Sequence, residues 1–255
     1  LLLEQIDLVK KGQFPDWMLK AIVNDLKVQR MKRWETADGL ATTLYSTYIG
    51  DRTWEQELDE INQYEAITKA DVVKFANEFF KENYVVVYKE KGVNDKLVRV
   101  ENPGITPIKL NREAQSPFLK EIINTKSSGI KPEFIDFKTA IATSTIKDKK
   151  VSFIKNKYNE VAQVNYVFPF GTDNDKELAL GVTVLQYLGT DKYTPEQLKE
   201  EFFKLGITNQ FRTSNDQMII ALSGLESNMK KGVELMNHWI NNVKADQAIY
   251  DQTVN

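Results

Sequence analysis

Residues 161–225 read VAQVNYVFPFGTDNDKELALGVTVLQYLGTDKYTPEQLKEEFFKLGITNQFRTSNDQMIIALSGL, and the fold class turns on the order of textures within them. Val161-Ala162-Gln163-Val164-Asn165-Tyr166-Val167-Phe168 is rich in β-branched and aromatic residues, which suit a pleated, half-buried strand. It is read with Val151-Ser152-Phe153-Ile154 as a hairpin that turns near Lys157-Tyr158-Asn159. From Lys176 to Leu188 the period lengthens: Leu178, Val182 and Leu185 share one helical face, and Gly189-Thr190 break it. Thr194 then stands as N-cap, Pro195 at the first helical position and Gln197 as capping-box partner. Gly206 ends that helix after Leu198, Phe202 and Leu205. Met218 to Leu222 predicts a strand, and Ser227 to about Val243 a helix with Val233, Met236, Ile240 and Val243 on one side. Strands and helices mix without strict β-α-β alternation, so the expected class is α+β.

Working toward the N-terminus, the texture changes from about Gly92 to Lys147. Four of the seven prolines (Pro103, Pro107, Pro117, Pro132) fall there with Ser127-Ser128-Gly129 and few periodic apolar positions. Proline fixes φ and removes a backbone donor, so this stretch reads as an extended connector. Before it, Pro15-Asp16 open a long helix running to about Trp34, with Leu19, Ile22, Val23 and Leu26 on one face. Thr68-Lys69-Ala70-Asp71 resembles a capping box ahead of Val72, Ala76, Phe79 and Phe80 at helical spacing. Tyr84-Val85-Val86-Val87-Tyr88 predicts a buried strand.

Composition restricts the chemistry. At 255 residues and 42% apolar, the chain is long enough for two compact units. Lys plus Arg number 34 against 36 Asp plus Glu, a net charge of −2 that gives no reason to expect a nucleic-acid or anionic-membrane partner. No apolar run approaches the roughly 20 residues that span a bilayer. Leu1-Leu2-Leu3 is followed at once by Glu4 and is not read as a signal peptide. The lack of an initiating Met, and an end at Thr253-Val254-Asn255 without a helix stop, suggest a piece of a longer chain. There is no cysteine and one histidine, His238, so no multi-histidine or cysteine zinc centre can be assembled within one copy.

The remaining candidates for chemistry are weak. Glu234 stands at i−4 from His238, a pair that could bind metal or move protons but is common on solvated helix surfaces; the structural reading is preferred and no catalytic role is assigned. The acidic runs Glu55 to Glu60 and Glu196 to Glu201 read as polar helix faces, interrupted by Leu58 and Leu198 at core spacing. No glycine-rich phosphate loop and no Gly-x-Ser-x-Gly elbow occurs. Trp17, Trp34, Trp54 and Trp239 are read as core and interface material rather than as a base-stacking platform. Predicted catalytic, cofactor-binding and metal residues are therefore none.

The segment from Val151 to Leu225 resembles the framework of insulinase/pitrilysin-type metallopeptidases. It carries Phe170-Gly171-Thr172 after a hairpin, then a helix, Gly189-Thr190, a capped helix from Thr194 to Gly206, and a strand toward Leu222. In that family the first helix bears the inverted zinc motif His-x-x-Glu-His. Counting back from Gly189-Thr190 places the motif on Leu180-Gly181-Val182-Thr183-Val184, where both histidines are apolar and the glutamate is Thr183. Residues 1 to 91 resemble the end of a preceding domain, with the Trp54 helix, the Ile67 to Val72 helix start and the Val85-Val86-Val87 strand.

The resemblance implies α+β, LuxS/mitochondrial-processing-peptidase-like metallopeptidase domains, present in part. It divides the chain into the C-terminal part of a second domain (1–91), a Pro-rich linker between halves (92–147) and the start of a third, non-catalytic domain (148–255). The implied function is the non-catalytic middle segment of a zinc-dependent endopeptidase that degrades peptides in a closed chamber. The alternative is a zinc-free scaffold or subunit that binds peptide or a partner without cleaving. The implied setting is bacterial and periplasmic, with zinc in an upstream domain, none in this segment, and Leu205 to Arg212 facing substrate. The expected partners are peptide, through the full-length protein, and the other half of the same chain, with no nucleic acid and no membrane span.

Overall fold

A computed structural model describes residues 1–89, 91–92, 98, 100–126, 128–129 and 131–254. Ser127 of the connector, Asn255 at the end, and residues 90 and 93–97 around the expected boundary at 91/92 lie outside the described residues. Contacts divide the chain into two compact units, Leu1–Asn83 with Lys155–Asn255, and Tyr84–Ile154.

The first unit begins with five helices: α1 (Leu2–Lys10), α2 (Trp17–Trp34), α3 (Ala37–Ile49), α4 (Trp54–Ala66) and α5 (Lys69–Phe79). Their starts are written locally. Thr53 and Thr68 each accept from the backbone N–H three residues on, and Gln56 and Asp71 return the bond to the cap N–H, so two otherwise orphaned donors are satisfied at each start. α2 forms as its sequence predicts, but its buried line is Ala21 and Val28, while Ile22 and Leu26 of the expected face stay partly exposed. The reason is tertiary: α2 is packed by α3 and α4 and by two elements more than a hundred residues away, so no single stripe decides its orientation.

The second unit holds α6 (Pro117–Asn124), α7 (Phe137–Ala140), β1 (Ala142–Ile146) and β2 (Lys149–Phe153). Much of the rest of the connector is without regular structure, as its prolines dictate. α6 is an exception that the sequence signals through Ser116, which caps Leu119 N–H, and Pro117 at the first turn. Two expectations fail here. Residues 84–89 form no strand and their side chains are exposed, because β propensity without a partner ladder leaves backbone groups to water. Val151 to Phe153 do not pair with residues 161–168 either; β2 pairs antiparallel with β1, and Lys147 and Asp148 turn the chain with φ of 46° and 65°. Positive φ at both turn positions matches the twist of a two-residue hairpin, but a Lys-Asp pair does not announce it as Asn-Gly would.

The first unit resumes with β3 (Val161–Phe168), α8 (Leu178–Leu185), α9 (Pro195–Leu205), β4 (Ile207–Thr213), β5 (Met218–Leu225), α10 (Glu226–Asn241) and α11 (Gln247–Val254). The three strands form an antiparallel sheet in the order β3-β5-β4. Leu198 and Phe202 of α9, Ile220 and Leu222 of β5 and Met236 of α10 are the largest fully buried side chains among the described residues, with Trp239 and Phe211 in edge-to-face contact at 5.2 Å. Burial of each aliphatic side chain contributes about 1.5–3 kcal/mol. Thr194, Pro195 and Gln197 start α9 as predicted, and Gly206 ends it at φ 62°, where its N–H returns to the last-turn carbonyls. Mixed helix and antiparallel sheet is the observed class. Among the described residues no helix is long and apolar enough to cross a membrane.

Candidate functional site

α8 carries the positions on which the inverted zinc motif would fall. Val184 is buried, Leu180 is half-buried and Thr183 is exposed, its hydroxyl donating to the Ala179 carbonyl at 2.9 Å. Leu180 and Val184 offer no lone pair, and the Thr183 hydroxyl is turned back onto its own helix. These side chains do not fit zinc. Among the described residues no group of three or more His, Cys, Asp or Glu could hold a metal ion.

His238, on α10, joins that helix to the loop after α8. Its Nε2 lies 3.2 Å from Thr190 Oγ1 and 3.5 Å from Asp191 Oδ1, and Asn242 Nδ2 lies 3.3 Å from Nδ1. Thr190 Oγ1 accepts from the backbone N–H groups of Lys192 and Tyr193, and the Tyr193 ring meets the imidazole edge-on at 5.6 Å. Beside it, Trp239 Nε1 donates to the Leu188 carbonyl at 3.1 Å. Thr190, Asp191 and Tyr193 fix the 188–193 loop against α10 and Asn242 holds the ring from the end of the same helix, while the exposed Glu234 is not among these partners. The histidine acts as a clamp.

The acidic runs behave differently from one another. In α9, Leu198 is fully buried while Glu200 and Glu201 pair with Lys204 on the solvent side, raising its pKa through hydrogen bonds to Glu201 and then Glu200. In α4 the expectation is reversed: Leu58 is half exposed and Glu57 is buried. Glu57 is held by Arg30 at 3.3 Å, Arg52 at 3.2 Å and the Thr47 hydroxyl at 3.4 Å, while Arg52 also reaches Glu60. Arg30 and Arg52 draw the carboxylate inward, and a core position is filled by an ion pair that leaves Leu58 outside. With both oxygens committed to cations and a hydroxyl, Glu57 is not poised as a general base.

The outer face of the sheet is the surface suited to a ligand. Strand alternation sends Ala162, Val164, Tyr166 and Phe168 to the core and Gln163, Asn165 and Val167 to the other side. The register aligns Gln163, Ser223 and Thr208 in one row, Asn165, Ala221 and Gln210 in the next, and Val167, Ile219 and Arg212 in a third. At one end α2 covers this face, with Val28 and Met31 on Val161 and Leu225. The rest presents carboxamides, hydroxyls and one guanidinium together with the exposed Val167 beside Ile219, and Gln163 Nε2 donates to Asn165 Oδ1 at 3.1 Å. As sheet edges, β3 and β4 each keep a row of backbone N–H and C=O groups outside the ladder. Amides and edge groups can hydrogen-bond an extended polypeptide; they supply neither nucleophile nor metal ligand. Sequence reading reached this surface only through Leu205 to Arg212. The alternation of Gln163 and Asn165 with apolar neighbours was the signal that could have found the other side.

No family model matches the chain and no curated protein matches it. Among solved structures, it is similar to a protease from Helicobacter pylori with a TM-score of 0.40 and 15% identity, over 44% of this chain and 28% of that one. It is also similar to the periplasmic protease PqqL from Escherichia coli, with a TM-score of 0.38 and 14% identity, over 97% of this chain and 30% of that one. The chain thus spans less than a third of either protein, and neither fold nor activity is drawn from likeness at this level.

Proposed function

We propose that this chain is the non-catalytic middle segment of a larger zinc-dependent endopeptidase of the insulinase/pitrilysin type, and that its sheet holds extended peptide without cutting it. The observation that carries the reading is on α8, where a framework like that of the inverted-motif helix has Leu180, Thr183 and Val184 in place of the two ligands and the water-activating glutamate. In this proposal residues 1–91 close one peptidase-type domain, 92–147 connect the halves, and 148–255 begin the zinc-free domain of LuxS/mitochondrial-processing-peptidase type. Zinc is held by an upstream domain, and the setting is the bacterial periplasm. The polar outer face of β3-β5-β4, with Arg212 at its rim, contributes to the wall that faces the peptide.

Two measurements test it. The complete reading frame should contain His-x-x-Glu-His upstream of Leu1; without that motif the zinc-free scaffold that binds peptide or a partner replaces the peptidase. Fluorescence anisotropy with a labelled unfolded peptide should show binding to this chain that weakens in Gln210→Ala/Arg212→Ala, with no cleavage whether zinc is present or chelated. Zinc-dependent cleavage by this chain alone would overturn the proposal.

A further inference from the structure

α2 has two working faces, and each holds a different part of the first unit. Lys27, Arg30 and Trp34, three and four residues apart, reach Glu65 at 2.9 Å, Glu57 at 3.3 Å and Thr43 at 3.1 Å, all within residues 1–83. About 100° further round the axis runs a second line, Trp17, Ala21, Asn24, Val28, Met31 and Glu35, in alternating steps of four and three residues. Trp17 meets the Phe203 ring edge-on at 6.3 Å, with Lys204 Nζ 4.8 Å from the indole. Gly206 stands so near Asn24 that an added Cβ would sit 3.3 Å from its side chain. Val28 and Met31 pack with Val161 and Leu225, and Asn159 Nδ2 donates to Glu35 Oε1 at 2.8 Å. From its first turn to its C-cap, this seam is met by residues between 159 and 225. The connector contrasts with it: every residue from 101 to 110 is exposed and without regular structure, and a Cβ added at Gly104 would meet nothing within 4 Å.

We propose that the α2 seam holds residues 1–83 and 155–255 together without a covalent link, so that the chain cut within 101–110 persists as one assembled protein of two pieces. Exposed backbone outside regular structure is where proteases gain access, and 101–110 meets that condition. Hydrolysis there adds water across one peptide bond and leaves a new carboxylate and a new amine in solvent. None of the seam residues or their partners lies in the severed stretch. A covalent tether raises the local concentration of two surfaces but adds no contact between them, so the seam's own packing sets whether the pieces stay joined. An indole, two aliphatic side chains and a carboxamide meeting a phenyl ring, two aliphatic side chains and a glycine supply the aromatic and apolar anchors of such an interface. This inference does not rest on the peptidase proposal, and it applies equally to a zinc-free scaffold.

A recognition sequence for a site-specific protease, inserted after Gly104, lets the full chain be cut once. Denaturing electrophoresis should then show two pieces, while native size exclusion at about 5 µM should elute both at the position of the uncut chain. Trp17→Ala and Val28→Asp should each weaken association of the cut pieces at least about 10-fold, and Lys27→Ala, on the other face of α2, should leave it unchanged. Trp17 lies at the half-buried end of the seam, so its variant decides the matter even where Val28→Asp fails to fold. Pieces that separate at about 5 µM, association indifferent to Trp17→Ala, or an equal loss in Lys27→Ala would overturn the proposal.

Discussion

Arg30 Nη2 donates to Glu57 Oε1 across 3.3 Å, with only 13% and 12% of the two side chains exposed. Arg30 Nε is buried without a hydrogen-bond partner among the described residues, so its charge depends on this carboxylate and on the Trp34 ring 4.8 Å from the guanidinium carbon. Removing one partner of a buried pair strands the other. Glu57→Ala should therefore cost about 2–4 kcal/mol in urea unfolding, whereas Glu60→Ala, which removes a more exposed partner of Arg52, should cost less than about 1 kcal/mol. Equal costs would show that Glu57 is solvated.

The fully buried Leu222 lies on the middle strand, between Val164 and Asn209 in the register. Leu222→Ala should leave a cavity with neighbours on both sides and cost about 3–5 kcal/mol by denaturant titration. Leu58→Ala, at the half-exposed position of α4, should cost well under half as much. The reverse order would restore Leu58 to the core.

At Gly206, φ is 62° and an added Cβ would sit 3.3 Å from Asn24 Cβ. Gly206→Ala should cost about 1 kcal/mol through left-handed strain, with a further loss if α2 has to shift. A stability gain in thermal melts would mean that α9 can end without this turn.

The Asp71 carboxylate is held below the ordinary value of 3.8, first by the Thr68 side chain and then by the Thr68 backbone N–H. Folding thus lowers this pKa, and the unfolded chain binds the proton more tightly. The cap's contribution is present above about pH 4 and is lost as pH falls through the folded value. Thr68→Ala should flatten that acid-side loss and raise the Asp71 pKa as read by carboxyl NMR titration. An unchanged titration would remove the assigned cause.

What the amino-acid sequence determined by itself is local. Thr53, Thr68 and Thr194 start helices because cap and partner stand three residues apart, and Gly206 ends one because a left-handed residue is needed at that point. The alternation of Val164 and Tyr166 with Gln163 and Asn165 likewise comes from strand geometry alone. Only the tertiary structure decided which strands pair and which helix faces are covered. Val161 to Phe168 found β5 more than fifty residues on, and Asn159 donates to Glu35 across 124 positions. Glu57 is inside and Leu58 outside because Arg30 and Arg52 arrive from other elements. Periodicity fixes the angle between side chains on one helix; it does not say what stands opposite them, and burial depends on that second fact.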